Sequence, residues 1–216
     1  EALQMLYKKG LEESYLTRIL SSASLGVGKN RKFVPTRWSI TAVDDTVGKN
    51  LLQEIKTFPL ADFAVYSGGG WGNFYIALLY PKVFSYELFE TMVRSEKFGT
   101  DYESFQGRKK YATNTVGGYY AARLAVLETL QKRKRQASVL LLRFITDDYW
   151  MPLGVWVCRE AARKCMASKP LKFTDEKSMM HFVQEFIKKR FKIPINKQLA
   201  QSRLLDSLKQ RSLFDF

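Results

Sequence analysis

The chain has 216 residues (25.0 kDa), with 35 Lys and Arg against 21 Asp and Glu, a formal net charge of +14. Its hydrophobic content of 46%, including 15 Phe, 11 Tyr and 4 Trp, excludes wholesale disorder and suits one sizeable core. One histidine (His181) and two cysteines seven apart (Cys158, Cys165) exclude a zinc knuckle or redox pair, and no run of 18 apolar residues exists to cross a membrane. The charge favours a polyanionic partner and salt-sensitive association, with nucleic acid the first choice. Cysteine usage and the lack of a signal-peptide pattern give the cytoplasm as the expected location.

Residues 2–20 carry Leu3, Leu6, Tyr7, Leu11, Tyr15, Leu16 and Ile19 at spacings of three and four. This predicts a helix that Gly10 weakens and divides. A loop rich in serine and glycine follows and brings Lys29, Arg31 and Lys32 forward as DNA-contacting cations. Its G-x-G-K lacks the rest of a nucleotide triphosphate loop. From Arg31 to Asp45 the chain reads RKFVPTRWSITAVDD. Alternation of Trp38, Ile40 and Ala42 against Ser39 and Thr41 predicts a half-buried strand, with Asp44 or Asp45 capping a helix from Lys49 to Lys56. Residues 63–66 and 74–80 predict a hairpin around the glycine-rich stretch 67–73, where Trp71 offers a stacking face.

Residues 86–95 predict a further helix with Leu88, Phe89 and Val93 inward. The polar stretch after it ends in Arg108, Lys109 and Lys110 beside Tyr111, a combination suited to phosphate contact with base stacking. Residues 119–131 predict a helix whose Ala121, Ala122 and Ala125 imply close packing, followed by the densest basic patch, Lys132, Arg133, Lys134 and Arg135. SVLLLRFI (138–145) predicts a central strand interrupted by Arg143 and closed by Asp147 and Asp148. Residues 155–158 read as another strand or as the entry to a helix over 159–166. Thr174 is the expected cap of a helix over 175–189, cored by Met179, Phe182, Val183, Phe186 and Ile187. The sum is an α/β fold of five to seven strands: a single mixed or mostly parallel sheet packed by several helices. Residues 1–194 form the core, 195–209 a helical connector, and 210–216 a flexible C-terminal peptide.

KFVPTRWSITAVDD resembles the signature of the archaeal Nre family of DNA repair proteins. The closing residues QRSLFDF resemble the sliding-clamp binding box that ends many of them, with Gln210 first, Leu213 fourth and Phe216 seventh. The usual box has a second aromatic in the eighth place, so apolar anchoring falls on Leu213 and Phe216, with Phe214 between them. Family members are longer and tend to carry a cysteine-bearing, zinc-finger-like segment near the N-terminus, so this chain looks like a C-terminal portion of one. The resemblance implies work in DNA repair with DNA and the clamp as partners. It implies no particular reaction.

Three classes of function stay open. Asp44, Asp45, Asp147 and Asp148 are two acidic pairs, each after an apolar run. If strand ends bring them into one cleft with Arg37, or with Arg143, they can hold divalent ions and activate water against a phosphodiester. A divalent metal is expected only in that nuclease case. The second class is a lesion or ligand pocket built from Arg37, Trp38, Asn114, Tyr119 and Arg123, with Gly117 and Gly118 opening the backbone. The third is a non-enzymatic adaptor that brings partners to the clamp.

Overall fold

The computed structural model describes residues 2–26, 28, 31–151 and 153–209. Two short helices, α1 (Ala2–Lys8) and α2 (Glu13–Ser21), are divided at Gly10, whose φ of +86° only glycine adopts at little cost. The long helix α3 (Thr36–Ile55) leads to the hairpin β1 (Ala64–Gly70) and β2 (Asn73–Tyr80). Strands β3 (Ser85–Met92) and β4 (Phe98–Glu103), helix α4 (Val116–Arg133), strand β5 (Ser138–Ile145) and helix α5 (Val155–Met166) follow. The chain closes with β6 (Leu171–Lys172), α6 (Glu176–Phe191), α7 (Asn196–Ala200) and α8 (Arg203–Lys209).

The strands form one mixed sheet in the order β4-β3-β5-β2-β1-β6. Only β3 and β5 run parallel; the other pairs are antiparallel. Strand β5 is central because its run is apolar on both faces: Val139 and Leu141 meet α4 and α5, while Leu140, Leu142 and Phe144 meet α6 and α8. Helix α4 is buried without a break from Gly117 to Leu127, lying between the sheet and α3. Among the described residues no helix is long and apolar enough to cross a membrane.

Ser67 to Gly70, expected in the hairpin loop, extend β1 and leave a turn of Trp71 and Gly72, and two further segments differ in type from their sequence-based expectation. Residues 38–43 are helical, within α3, and not a strand. The apolar set Ile40, Val43, Val47, Leu51 and Ile55 recurs at three and four over 16 residues, whereas the apparent alternation spans too few positions to fix a period of two. Asp44 and Asp45 therefore lie inside a helix and cap nothing; the N-cap is Pro35. Residues 85–92 form β3 in place of the expected helix, with Tyr86 and Leu88 on the face of α4 and Phe89 on the other. Buried Glu87 disguises that alternation. Its carboxylate accepts from the Ser202 hydroxyl (2.6 Å) and the backbone amides of Arg203 (3.2 Å) and Leu204 (3.0 Å), holding the start of α8 against the sheet. Helix α6 is capped by Asp175, which accepts from the Ser178 amide at 2.8 Å, one residue after the expected Thr174.

Candidate functional site

Arg37, Trp38, Thr41 and Asp45 recur at helical spacing along one face of the start of α3, and Val34 lies just ahead of its N-cap Pro35. Together with Tyr111, Val116, Gly117, Tyr120 and Val155 they line a cleft of about 690 Å³, a size in the range of small-molecule sites. Helices α3 and α4 run side by side in the same direction. A Cβ on Gly117 would come within 3.0 Å of Thr41 Oγ1, one on Gly48 within 2.8 Å of Arg123 Nη1, and the Gln131 amide donates to Glu54 at 3.3 Å. Both helices thus begin at the cleft, and Val155 adds the start of α5. The N-cap residues Pro35, Thr115 and Gly154 make no side-chain cap, although the Asp101 carboxylate holds the amides of Asn114 and Thr115 just ahead of α4. The positive dipole ends of the three helices converge at the cleft.

The loop that carries Tyr111 is braced from beneath. Arg108 pairs with Asp101 at 3.0 Å and donates to the carbonyl oxygens of Tyr102, Lys110 and Tyr111. Asp101 in turn accepts from the amides of Asn114 (2.9 Å) and Thr115 (2.8 Å). Tyr111 stacks on Tyr120 with ring centroids 5.2 Å apart and planes 30° from parallel. Across the cleft Trp38 is 61% exposed, and Tyr111 is 50% exposed.

Buried ion pairs fix the walls. Arg159 of α5 donates to Asp44 of α3 at 2.6 Å, and Arg123 of α4 to Glu103 of β4 at 2.5 Å. Burial raises the Asp44 carboxyl to about 6 against the pull of Arg159. Asp45 is half-buried at the cleft: Lys49 holds Oδ2 at 2.6 Å, and Oδ1 lies 3.9 Å from Arg123 Nη1, beyond hydrogen-bond reach.

Of the residues expected at a site, Arg37, Trp38 and Asp45 line this cleft. Asn114 is exposed, with its side chain spent on the Thr100 carbonyl (2.7 Å). Tyr119 is fully buried against Tyr86, so the ring at the cleft is that of Tyr120, one residue and about 100° further round the helix. Arg123 is buried behind the wall. Arg143 is buried on Glu90 and Asn73, and Gly118 leaves room for that pair, since a Cβ there would meet Glu90 Oε1 at 2.5 Å. Gly117 lines the cleft and leaves no room for a Cβ against Thr41 and Val155, whereas Gly118 faces Glu90 and Arg143. Asp44 is fully buried, whereas Asp147 and Asp148 are exposed in the turn after β5. Only Asp45 of the four aspartates lines the cleft, and among the described residues no group of three or more His, Cys, Asp or Glu side chains is gathered to hold a metal.

Arg31, Lys32, Lys109 and Lys110 are exposed near the start of α3 and on the Tyr111 loop; Arg108 is partly buried and committed to Asp101. Lys132, Arg133, Lys134 and Arg135 are exposed at the other end of α4. That helix has 18 residues and is about 27 Å long, so the basic runs make two patches. Lys29 and the residues Gln210, Leu213, Phe214 and Phe216 lie outside the described residues. Tyr120, Thr41 and Val155 were not singled out from the sequence. Once α3 is a helix, the spacing of Arg37, Thr41 and Asp45 at i, i+4 and i+8 is the signal that groups Thr41 with the others.

Family models described as "Archaeal Nre, N-terminal" and "Archaeal Nre, C-terminal" match residues 1–98 and 103–216. The chain is 38% identical to DNA repair protein NreB of Archaeoglobus fulgidus over 226 aligned residues, covering 100% of this chain and 56% of that protein. It is 42% identical to DNA repair protein NreA of the same organism (79% of this chain, 45% of that protein) and 39% identical to DNA repair protein NreA of Haloferax volcanii (75% and 41%). The chain therefore spans about half the length of these curated relatives. No solved structure matches it.

Proposed function

The chain belongs to the archaeal Nre family, and from that premise we propose that it works in DNA repair, binding DNA at the end of the fold where α3 and α4 begin and reaching the sliding clamp through residues 210–216. The names of the relatives support the repair role. The observation that carries DNA binding is the combination at the cleft: exposed Arg31, Lys32, Arg37, Lys109 and Lys110 beside exposed Trp38 and Tyr111. Cations that neutralise phosphates next to rings that stack bases are what a single strand requires. The clamp reading rests on the QRSLFDF pattern and its Leu213 and Phe216 anchors.

Salt dependence tests the DNA surface. Replacing Arg37, Lys109 and Lys110 together with alanine should weaken single-stranded DNA binding across sequences and lower the slope of log affinity against log salt by about 0.7 per lost phosphate contact. Neutralising Lys132–Arg135 should change the slope less. An unchanged slope in the first variant, with a reduced one in the second, would move the DNA surface to the far end of α4.

A further inference from the structure

We propose that the α3–α4 cleft holds one unstacked nucleotide of single-stranded DNA, with its base against Trp38 and Tyr111, its donor edge toward Asp45, and its phosphate at Arg37. This deepens the DNA-binding reading and rests on it. The cleft has a distinct chemistry at each depth. At the mouth stand Arg37 and the starts of α3, α4 and α5, whose N-cap residues make no side-chain cap. Amide hydrogens and dipole ends there favour an anion. Along the walls are the exposed rings of Trp38 and Tyr111, whose free faces accept any planar base, with buried Tyr120 stacked behind Tyr111. Further along the same face of α3, two turns beyond Arg37, is Asp45, the one acidic group in the lining among the described residues.

Asp45 does not cancel the attraction for phosphate at the mouth, because Lys49 and Arg123 stand beside it. It sets a preference among bases. A carboxylate only accepts, so it pairs with the exocyclic amino groups of adenine, cytosine or guanine. The imino hydrogen of thymine lies between two carbonyl oxygens, which repel a carboxylate. Duplex DNA keeps its bases stacked and paired, so a single strand, or a base flipped from a duplex, is the form that enters a pocket of this kind.

The probe is a 12-residue oligothymidylate carrying one central 2-aminopurine, whose fluorescence falls when the base stacks on an aromatic ring. Binding to the wild-type protein should quench it. Trp38→Ala removes a largely exposed side chain and should abolish most of the quenching while weakening binding about 10-fold, the scale of one lost stacking contact. Trp38→Phe should restore part of both. Asp45→Asn should reduce the preference for oligonucleotides of amino-bearing bases over oligothymidylate. If the oligonucleotide binds with its full salt slope but the probe stays bright and Trp38→Ala binds like wild type, the cleft assignment is overturned while DNA binding stands. If no oligonucleotide binds, both readings fall. If free 2-aminopurine deoxyribonucleoside monophosphate is quenched at the same concentrations as the oligonucleotide, the site serves free nucleotides, and its assignment to a DNA strand is overturned.

Discussion

Replacing Arg159 with methionine should destabilise the fold by about 3–5 kcal/mol at pH 7.5, because it leaves the Asp44 carboxylate buried without its partner. Asp44 is fully buried, and its Oδ2 has no hydrogen-bond partner among the described residues, so Arg159 is its main compensation. The groups around the pair are Glu13 of α2 and Glu160 and Arg163 of α5. Arg163 is itself bound to Glu13, Glu128 and Glu160 and is not free to take over. The loss should depend on pH in a set direction. The native Asp44 carboxyl takes up its proton near pH 6, whereas in an unfolded chain it does so near 3.8. The native state therefore binds the proton first, and this group's contribution to stability is full below about pH 4 and lost as pH rises through 6. Without Arg159 the native carboxyl protonates at still higher pH, so the variant should recover part of its stability between pH 7.5 and pH 5. Urea unfolding at the two pH values measures this. A larger loss at pH 5 than at pH 7.5 would show that Asp44 is not the group left uncompensated.

A second large effect is expected at the proposed clamp peptide. Leu213→Ala with Phe216→Ala should abolish clamp binding while leaving folding and DNA affinity nearly unchanged. Leu213 and Phe216 are three apart, so a single turn presents both on one side as a plug for an apolar groove. Truncating two such anchors at about 2 kcal/mol each would raise a micromolar dissociation constant about 1,000-fold. Folding should not suffer, because α8 is held by its own contacts: buried Leu204 and Leu205, and the cap from Glu87. Calorimetry against the clamp gives the outcome. Full affinity in the double variant would remove the recruitment assignment, and a loss of cooperative unfolding would make the peptide part of the core.

The sequence was informative where one period could satisfy the pattern. Residues 138–145 are apolar on both faces and had to be a central strand; the hairpin was legible too, but Ser67 to Gly70, expected in its loop, extend β1 and leave Trp71 and Gly72 as the turn. Helix α4 was signalled by alanines that let neighbours close on it. Residues 38–43 misled because Trp38, Ile40 and Ala42 alternate with Ser39 and Thr41 over only a few positions, and the spacing from Ile40 through Val43 to Val47, Leu51 and Ile55 decides for the helix. Strand β3 misled because Glu87, a charge in a buried position, looks like the exposed side of a helix until α8 is seen to need it as a cap. The same limits governed the site. Arg37, Trp38 and the Tyr111 loop lie at the cleft, but the choice between Tyr119 and Tyr120 depends on the rotation of α4 about its axis. Which aspartate faces the cleft likewise depends on the helix phase of α3, since Asp44 and Asp45 are neighbours in sequence and point to opposite duties.

Photo-crosslinking with a single-stranded oligonucleotide carrying 5-iododeoxycytidine, followed by peptide mapping, tests the DNA surface most directly. Crosslinks at Trp38 and Tyr111 are the predicted result, since these are exposed rings beside the cations proposed to hold the phosphates. Crosslinks confined to α6 and α8, on the opposite face of the sheet, would contradict it.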